Sequence, residues 1–208
     1  MKPKRLIWDI ETSPNIGFFW RPGYKLQISH ENIIHERAII CICYKWEGHK
    51  RVHHLEWDKG CDKVLVEKFL KVASEADEMV AHNGDRFDLK WFNGRVIYHG
   101  FDPLPETKTI DTLKIAKKHF SFNSNRLDYI GKHLLGHGKI ETTYGMWKDI
   151  VLKNCPKAMA AMVKYCKMDV KLLEEVWQLF EKHAKPASHA GVMDGNEKWT
   201  CPRTGSEK

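Results

Sequence analysis

No run of this chain is apolar for long enough to cross a bilayer, and no apolar segment follows the Met-Lys-Pro-Lys-Arg start as a secretory leader would require. A cytoplasmic protein with no membrane partner is expected. Cysteine is poorly spaced for metal or redox work: the six residues at 41, 43, 61, 155, 166 and 201 include no Cys-x-x-Cys pair. Zinc fingers and dithiol redox centres are therefore unsupported, and reduced, mostly buried thiols are expected. Internal repeats and low-complexity blocks are also lacking. What remains is the composition of a globular domain, with 42% hydrophobic and 29% charged residues in 208, enough to bury a sizeable core. A net charge of +7 suits a polyanionic partner without proving one.

The chain is organised around Leu6-Ile7-Trp8-Asp9-Ile10-Glu11-Thr12. Its apolar, β-branched character predicts a central strand. Alternation puts Leu6, Trp8 and Ile10 on one face and Ile7, Asp9 and Glu11 on the other. Two carboxylates then share a side, about 7 Å apart along the strand. Unless both face water at the strand's end, they need a cation, and a hard divalent metal supplies one.

Ser13-Pro14 ends that strand. Residues 15–37 lack periodicity but crowd Phe18, Phe19, Trp20, Arg21, Tyr24 and Lys25 together. They form either an arm over a cleft, where aromatics beside cations can stack on bases, or part of the core packing. A strand over 38–46, a turn at Glu47-Gly48-His49-Lys50 and a strand over 51–56 follow. Asp62 is expected to cap a helix over 63–75. A short buried strand at 79–81 ends in Asn83-Gly84, a helix covers 87–98, Thr109-Ile110 forms a brief strand, and residues 111–119 are helical. Ser124 or Asn125 caps the next helix, which closes at Gly136 and Gly138. A long helix runs from Pro156 to about His183. From 185 onward the chain reads as a mobile tail, so the domain is expected to occupy 1–184. Strands in hairpin order followed by alternating helices and strands indicate an α/β domain with a mixed sheet.

On the long helix, Met159, Met162, Cys166, Leu173, Trp177 and Phe180 make an apolar stripe at steps of three and four. Position 169 belongs to that stripe yet holds Asp, with Tyr165 one turn earlier on the same face. A buried acid needs a partner, which could be backbone, Arg or a metal. A third piece is Ala81-His82-Asn83-Gly84-Asp85-Arg86-Phe87-Asp88, where Asp88 falls in a helix's first turn. Capping alone would account for it.

Together, Asp-x-Glu, Asn-x-x-x-Phe-Asp and Tyr-x-x-x-Asp, in that order, resemble the three motifs of the DEDD superfamily of 3′-to-5′ exonucleases, the DnaQ-like group with the ribonuclease H-like fold. The Tyr-x-x-x-Asp form is similar to that of the tyrosine-bearing subgroup, which includes polymerase proofreading domains. The resemblance implies a five-stranded mixed sheet flanked by helices. It implies that Asp9, Glu11, Asp88 and Asp169 hold two Mg²⁺ or Mn²⁺ ions and that Tyr165 positions the attacking water. Asp85 is the alternative should Asp88 be only a cap. Thr12, Asn83, Phe87, Asp111, Ser124 and Asn125 would lie on the substrate side. The implied substrate is nucleic acid, single-stranded DNA or a frayed 3′ end before RNA, with a polymerase or another replication or repair protein as partner. An exoribonuclease or a non-catalytic nucleic-acid-binding module of the same fold are the rivals.

Three further features are set aside. The twelve histidines lack ligand spacing; His82 stands beside Asn83, and His53-His54, His133 and His137 read as surface or core residues. Lys108, Lys114, Lys117, Lys118 and His119 form either a solvated face or a phosphate track. Residues 199–205 look like the opening of a zinc ribbon, but Thr204 occupies the second ligand position, so no zinc site is expected. A nuclease domain trimmed from a longer protein would end in this way.

Overall fold

The computed structural model describes residues 3–23, 25–140, 142–184, 190–201 and 203–206. Strand β1 (Arg5–Thr12) leads into a small antiparallel pair, β2 (Ile16–Gly17) and β3 (Ile33–His35), inside the stretch that shows no periodicity. Then come β4 (Ile39–Trp46), β5 (His53–Glu56), α1 (Lys63–Ser74), β6 (Glu78–Ala81), α2 (Asp88–Tyr98), β7 (Lys108–Asp111) and α3 (Thr112–His119). Helices α4 (Leu127–Leu135), α5 (Tyr144–Lys153), α6 (Pro156–Phe180) and α7 (Ala190–Met193) complete the chain. The expected five-stranded mixed sheet is present in the order β5-β4-β1-β6-β7.

β1 is central because it pairs on both edges, antiparallel with β4 and parallel with β6. Both its faces are covered, as its near-continuous apolar run requires. Leu6, Trp8 and Ile10 pack under α1 and α2 with Leu65, Phe69, Phe92 and Val96. The Trp8 and Phe69 rings stack at 5.0 Å, and Phe92 meets Phe69 edge-on at 5.1 Å. Ile7 lies on the opposite face with Val80, Ile110 and the α6 stripe of Met162, Cys166, Val170, Leu173, Trp177 and Phe180. The pleat therefore turns Asp9 and Glu11 toward α6. The register with β4 slips between Glu11 and Thr12, a bulge of the kind that re-aims side chains at strand ends.

Several local expectations change. Asp62 stands at the start of α1 but makes no capping bond. Its fully buried carboxylate accepts from the Ile39 amide at 2.9 Å, from Arg95 Nε and Nη2 at 2.7 Å each, and meets His99 Nε2 at 2.7 Å. Partners 33 and 37 residues away outbid the local cap. The α4 cap is Arg126, and Ser124 Oγ accepts from the Arg126 amide at 3.3 Å. The third main strand begins at His53 rather than 51, and α6 ends at Phe180 before a 3₁₀ turn over Glu181–His183. Helix α5 was not expected, since Ile150 is its one buried residue among ten and leaves no amphipathic signature. Of the six thiols, Cys41, Cys43 and Cys166 are buried, whereas Cys61 is exposed and Cys155 and Cys201 are partly so.

Residues 185–189 of the expected tail lie outside the described residues. Beyond them Val192 is buried, and Lys198 Nζ donates to the carbonyls of Ser74 and Ala76 at 2.9 and 2.8 Å. An ammonium on the carbonyls at the end of α1 is a favourable helix-terminus contact. This part of the tail is docked. Among the described residues no helix is long and apolar enough to cross a membrane.

Asp62 gives a stability test. Burial works against its charge, but Arg95, the Ile39 amide and His99 hold its pKa below the ordinary 3.8. Its contribution is therefore present above pH 3.8 and lost as pH falls through the depressed folded-state value. Asp62→Ala is expected to cost about 3 kcal/mol at pH 7, with the gap to wild type closing in strong acid. Thermal melts of both proteins at pH 7 and near pH 3 measure this, and equal melts at pH 7 would contradict it.

Candidate active site

The acidic site forms where α6 crosses the C-terminal half of β1. One carboxylate oxygen each from Asp9, Glu11 and Asp169 lie within 4.8 Å of one another. Asp169 is 1% exposed, because the apolar stripe that seats α6 carries it inward. Asp88, 3% exposed in the first turn of α2, directs Oδ1 to the Ile10 amide at 3.2 Å. That bond ties the α2 start to the strand between Asp9 and Glu11. Asp85, the alternative to Asp88, instead pairs with Lys114 at 2.5 Å near the surface.

Crowding raises every one of these acids. Burial and then the neighbouring Cys166, Asp88, Glu11 and Asp169 push Asp9 upward. Glu11 is pushed up to about 9, by burial first and then by Cys166 and Asp169. Burial lifts Asp88 to about 7 despite its backbone bonds. For Asp169, burial outweighs the help of Lys139. Tyr165, part-buried beside Asp169, is raised in turn by burial and by that charge.

One cation answers these acids among the described residues. Lys139 Nζ donates to Asp169 Oδ2 at 2.5 Å, reaches Tyr165 Oη at 3.5 Å and sits 5.4 Å from the centre of that ring. Burial disfavours its charge, but Asp9 and Asp169 hold its pKa above the usual value. Asp169 Oδ1 is buried without a hydrogen-bond partner. A single ammonium, four carboxylates and an orphan oxygen leave a deficit of positive charge. The all-oxygen donor set fits hard divalent cations such as Mg²⁺ or Mn²⁺.

Sequence patterning did not reveal Lys139. It follows Gly136 and Gly138 in an aperiodic stretch, and only the path of the chain after α4 brings it to the acids. The thiols beneath them were also missed. Asp9 pairs with Cys43 and Glu11 with Cys41 across the sheet, and the three sulfurs of Cys41, Cys43 and Cys166 lie within 4.8 Å of one another. Cys166 Sγ stands 3.6 Å from Asp9 Oδ2. These sulfurs fill the floor under the carboxylates.

The residues expected on the substrate side divide. Asn83 adopts a left-handed turn at φ 67°, which Asn tolerates. Its amide donates to Asp111 Oδ1 at 2.8 Å, and the same oxygen caps α3 at Leu113. Gly84 is required there, because a Cβ would lie 2.4 Å from that of Ala81. Phe87 is 36% exposed at the head of α2. Thr12 ends β1, and its carbonyl accepts from Trp147 Nε1 of α5 at 3.1 Å. Ser124 and Asn125 sit in the turn before α4, pinned through the Asn125 carbonyl to His82 Nε2 at 3.0 Å. His82 also meets Thr112 Oγ1 at 2.8 Å, and burial lowers it to about 4. It is a neutral clamp. Asp111 Oδ2 and Asn125 Oδ1 are buried without partners.

Residues 34–181 match the family model described as RNase_H superfamily, so the chain belongs to the RNase H superfamily. The matched region begins after β1 and therefore leaves Asp9 and Glu11 outside it. Over 65 residues the chain is 40% identical to a DNA polymerase III PolC-type of Ureaplasma parvum serovar 3, covering 30% of this chain and 4% of that protein. The chain thus spans a small fraction of that relative's length. A family B DNA polymerase from the hyperthermophilic archaeon Pyrobaculum calidifontis aligns over 87% of this chain and 25% of its own, with a TM-score of 0.67 and 14% identity. At that identity the likeness is one of fold.

The charge deficit predicts a metal-linked stability. Between its ordinary value of 4.5 and about 9, folded Glu11 keeps a proton that the unfolded chain releases. Stability in chelator should therefore fall as pH rises through this window. Lys139→Ala should remove about 1–2 kcal/mol more in chelator, allowing for the side chain's partial exposure. Added Mg²⁺ should raise the melting temperature of this variant more than that of wild type. Calorimetric scans with and without Mg²⁺ test this; no Mg²⁺-dependent shift in either protein would refute it.

Proposed function

We propose that the chain is a metal-dependent 3′-to-5′ exonuclease of the tyrosine-bearing DEDD kind, releasing nucleoside monophosphates from DNA ends. The observation that carries this reading is the convergence of Asp9, Glu11 and Asp169 beside Tyr165. Asp9, Glu11, Asp88 and Asp169 would hold two divalent ions. When bound, such ions stabilise the attacking and leaving oxygens of a phosphodiester and acidify water. Tyr165, its pKa raised, stays protonated at neutral pH and orients the attacking water by hydrogen bonding rather than removing its proton. Lys139 would keep the acids from mutual repulsion until they are loaded.

Phe87, exposed at the head of α2, would stack on a terminal base. The open oxygens of Asp111 and Asn125, with Thr12, Asn83 and Ser124, would line the nucleotide end of the site. Single-stranded or frayed DNA is the preferred substrate, because the two similar proteins described above are DNA polymerases. For the same reason a replication or repair polymerase is the proposed partner. Retention of all four carboxylates and the tyrosine disfavours a binding module without activity.

The test is a time course on 5′-labelled single-stranded DNA and matched RNA, with Mg²⁺ or chelator. Stepwise shortening of the DNA from its 3′ end, abolished by chelator, is expected. Asp9→Ala and Asp169→Ala should each lower the rate about 10³-fold or more, since several kcal/mol of charge stabilisation are lost. Tyr165→Phe should lower it about 10- to 100-fold through a misplaced water while metal binding persists. Internal cutting, activity confined to RNA, or wild-type rates in Asp9→Ala would sink the assignment.

A further inference from the structure

We propose that a groove on the outer face of α2 binds the single strand upstream of the nucleotide held at the acidic site. The assignment of the upstream side rests on the exonuclease reading; the binding itself does not. The groove is a cavity of about 690 Å³ closed on one side by residues 36 and 37 and on the other by α2. Arg37, Arg86, Lys90, Trp91, Arg95 and Tyr98 line it.

Three observations point to a nucleic-acid strand. The first is charge. Arg95 is spent on buried Asp62, but among the described residues Arg37, Arg86 and Lys90 have no carboxylate partner, and Glu36 is the single acid in the lining. The groove keeps an excess of cations over carboxylates. The second is the interleaving of those cations with aromatic faces. The Arg37 guanidinium lies 4.5 Å over the Trp91 ring and that of Arg95 lies 4.1 Å over Tyr98. Flat faces beside phosphate-binding charges are what a single strand needs, because every base can stack. The third is continuity with the site. Phe87 and Trp91 are one helical turn apart with ring centroids at 6.4 Å, and Asp88 enters the acid cluster from the same turn. From Arg86 to Tyr98 the lining extends about 18 Å at the helical rise, room for several nucleotides.

Gly94 supports the same conclusion. A glycine inside a helix costs about 1 kcal/mol relative to alanine, yet a Cβ at 94 would meet nothing within 4 Å. Packing within the chain does not require it. Close approach of a ligand to the helix backbone at the floor of the groove would account for it.

The experiment measures binding of fluorescein-labelled dT12 to the full chain in chelator, where hydrolysis is suppressed, and hydrolysis of dT12 and of a dinucleotide in Mg²⁺. In Arg86→Glu/Lys90→Glu the dissociation constant for dT12 should rise at least ten-fold at about 0.1 M salt. The slope of log affinity against log salt should lose about 1.4, or 0.7 for each of two phosphate contacts on a single strand. Dinucleotide hydrolysis, which does not reach the groove, should stay within two-fold of wild type. An unchanged affinity and slope in the variant overturn the proposal, as does poly-glutamate competing as well as dT12, which would make the groove a site for acidic protein. If wild type binds dT12 in a groove-dependent way but cuts nothing, the exonuclease reading fails and the groove stands.

Discussion

Mutual repulsion among crowded, buried and half-buried carboxylates is the constraint on which the rest of this structure depends. Asp9 and Glu11 sit on the central strand of the sheet, and α6 brings Asp169 down upon them while Asp88 closes in from α2. Like charges this close raise one another's proton affinity and destabilise the fold that gathers them. The chain tolerates the arrangement because β1 is paired on both edges and packed on both faces. Lys139 offsets part of the charge. The remaining deficit is one that hard cations would fill.

The supporting shell is built to hold these groups still. The Ile10 amide fixes Asp88, and Asp111 clamps the Asn83 turn while capping its own helix. Neutral His82 ties the turn before α4 to the start of α3. Such bonds hold β1, the start of α2, and the turns after β6 and before α4 in fixed relative positions, which is what preorganises a site. The buried triad of Asp62, Arg95 and His99 performs the equivalent task on the opposite face, locking α2 against α1 and the first residue of β4. Because α2 carries both Asp88 and the basic groove, that lock sets the angle between the acidic site and the groove.

Much of this was legible in the residues themselves. The alternation of β1 gave the faces of Asp9 and Glu11. The interrupted stripe of α6 showed that Asp169 is turned inward with Tyr165 beside it. These inferences rest on backbone periodicity, which is local. What was not legible has two causes: Asp62 forgoes a cap for partners more than thirty residues away, and α5 shows too little amphipathicity to be seen. Part of the supposed tail is anchored by a lysine reaching the carbonyls that follow α1.

By itself the sequence determined that Asp9 and Glu11 share one face of a strand, that Asp169 belongs to the inward stripe of a long helix, and that the elements build an α/β sheet. Tertiary structure alone decided that Lys139 stands against Asp169, that three thiols form the floor beneath Asp9 and Glu11, and that Arg37 closes over Trp91 to make a groove. The difference is physical. Hydrophobic period is a property of neighbouring residues along a strand or helix, and it survives in the order of the letters. Pairing between a charge and its partner depends on where distant segments come to rest, which only the packing of the whole chain fixes.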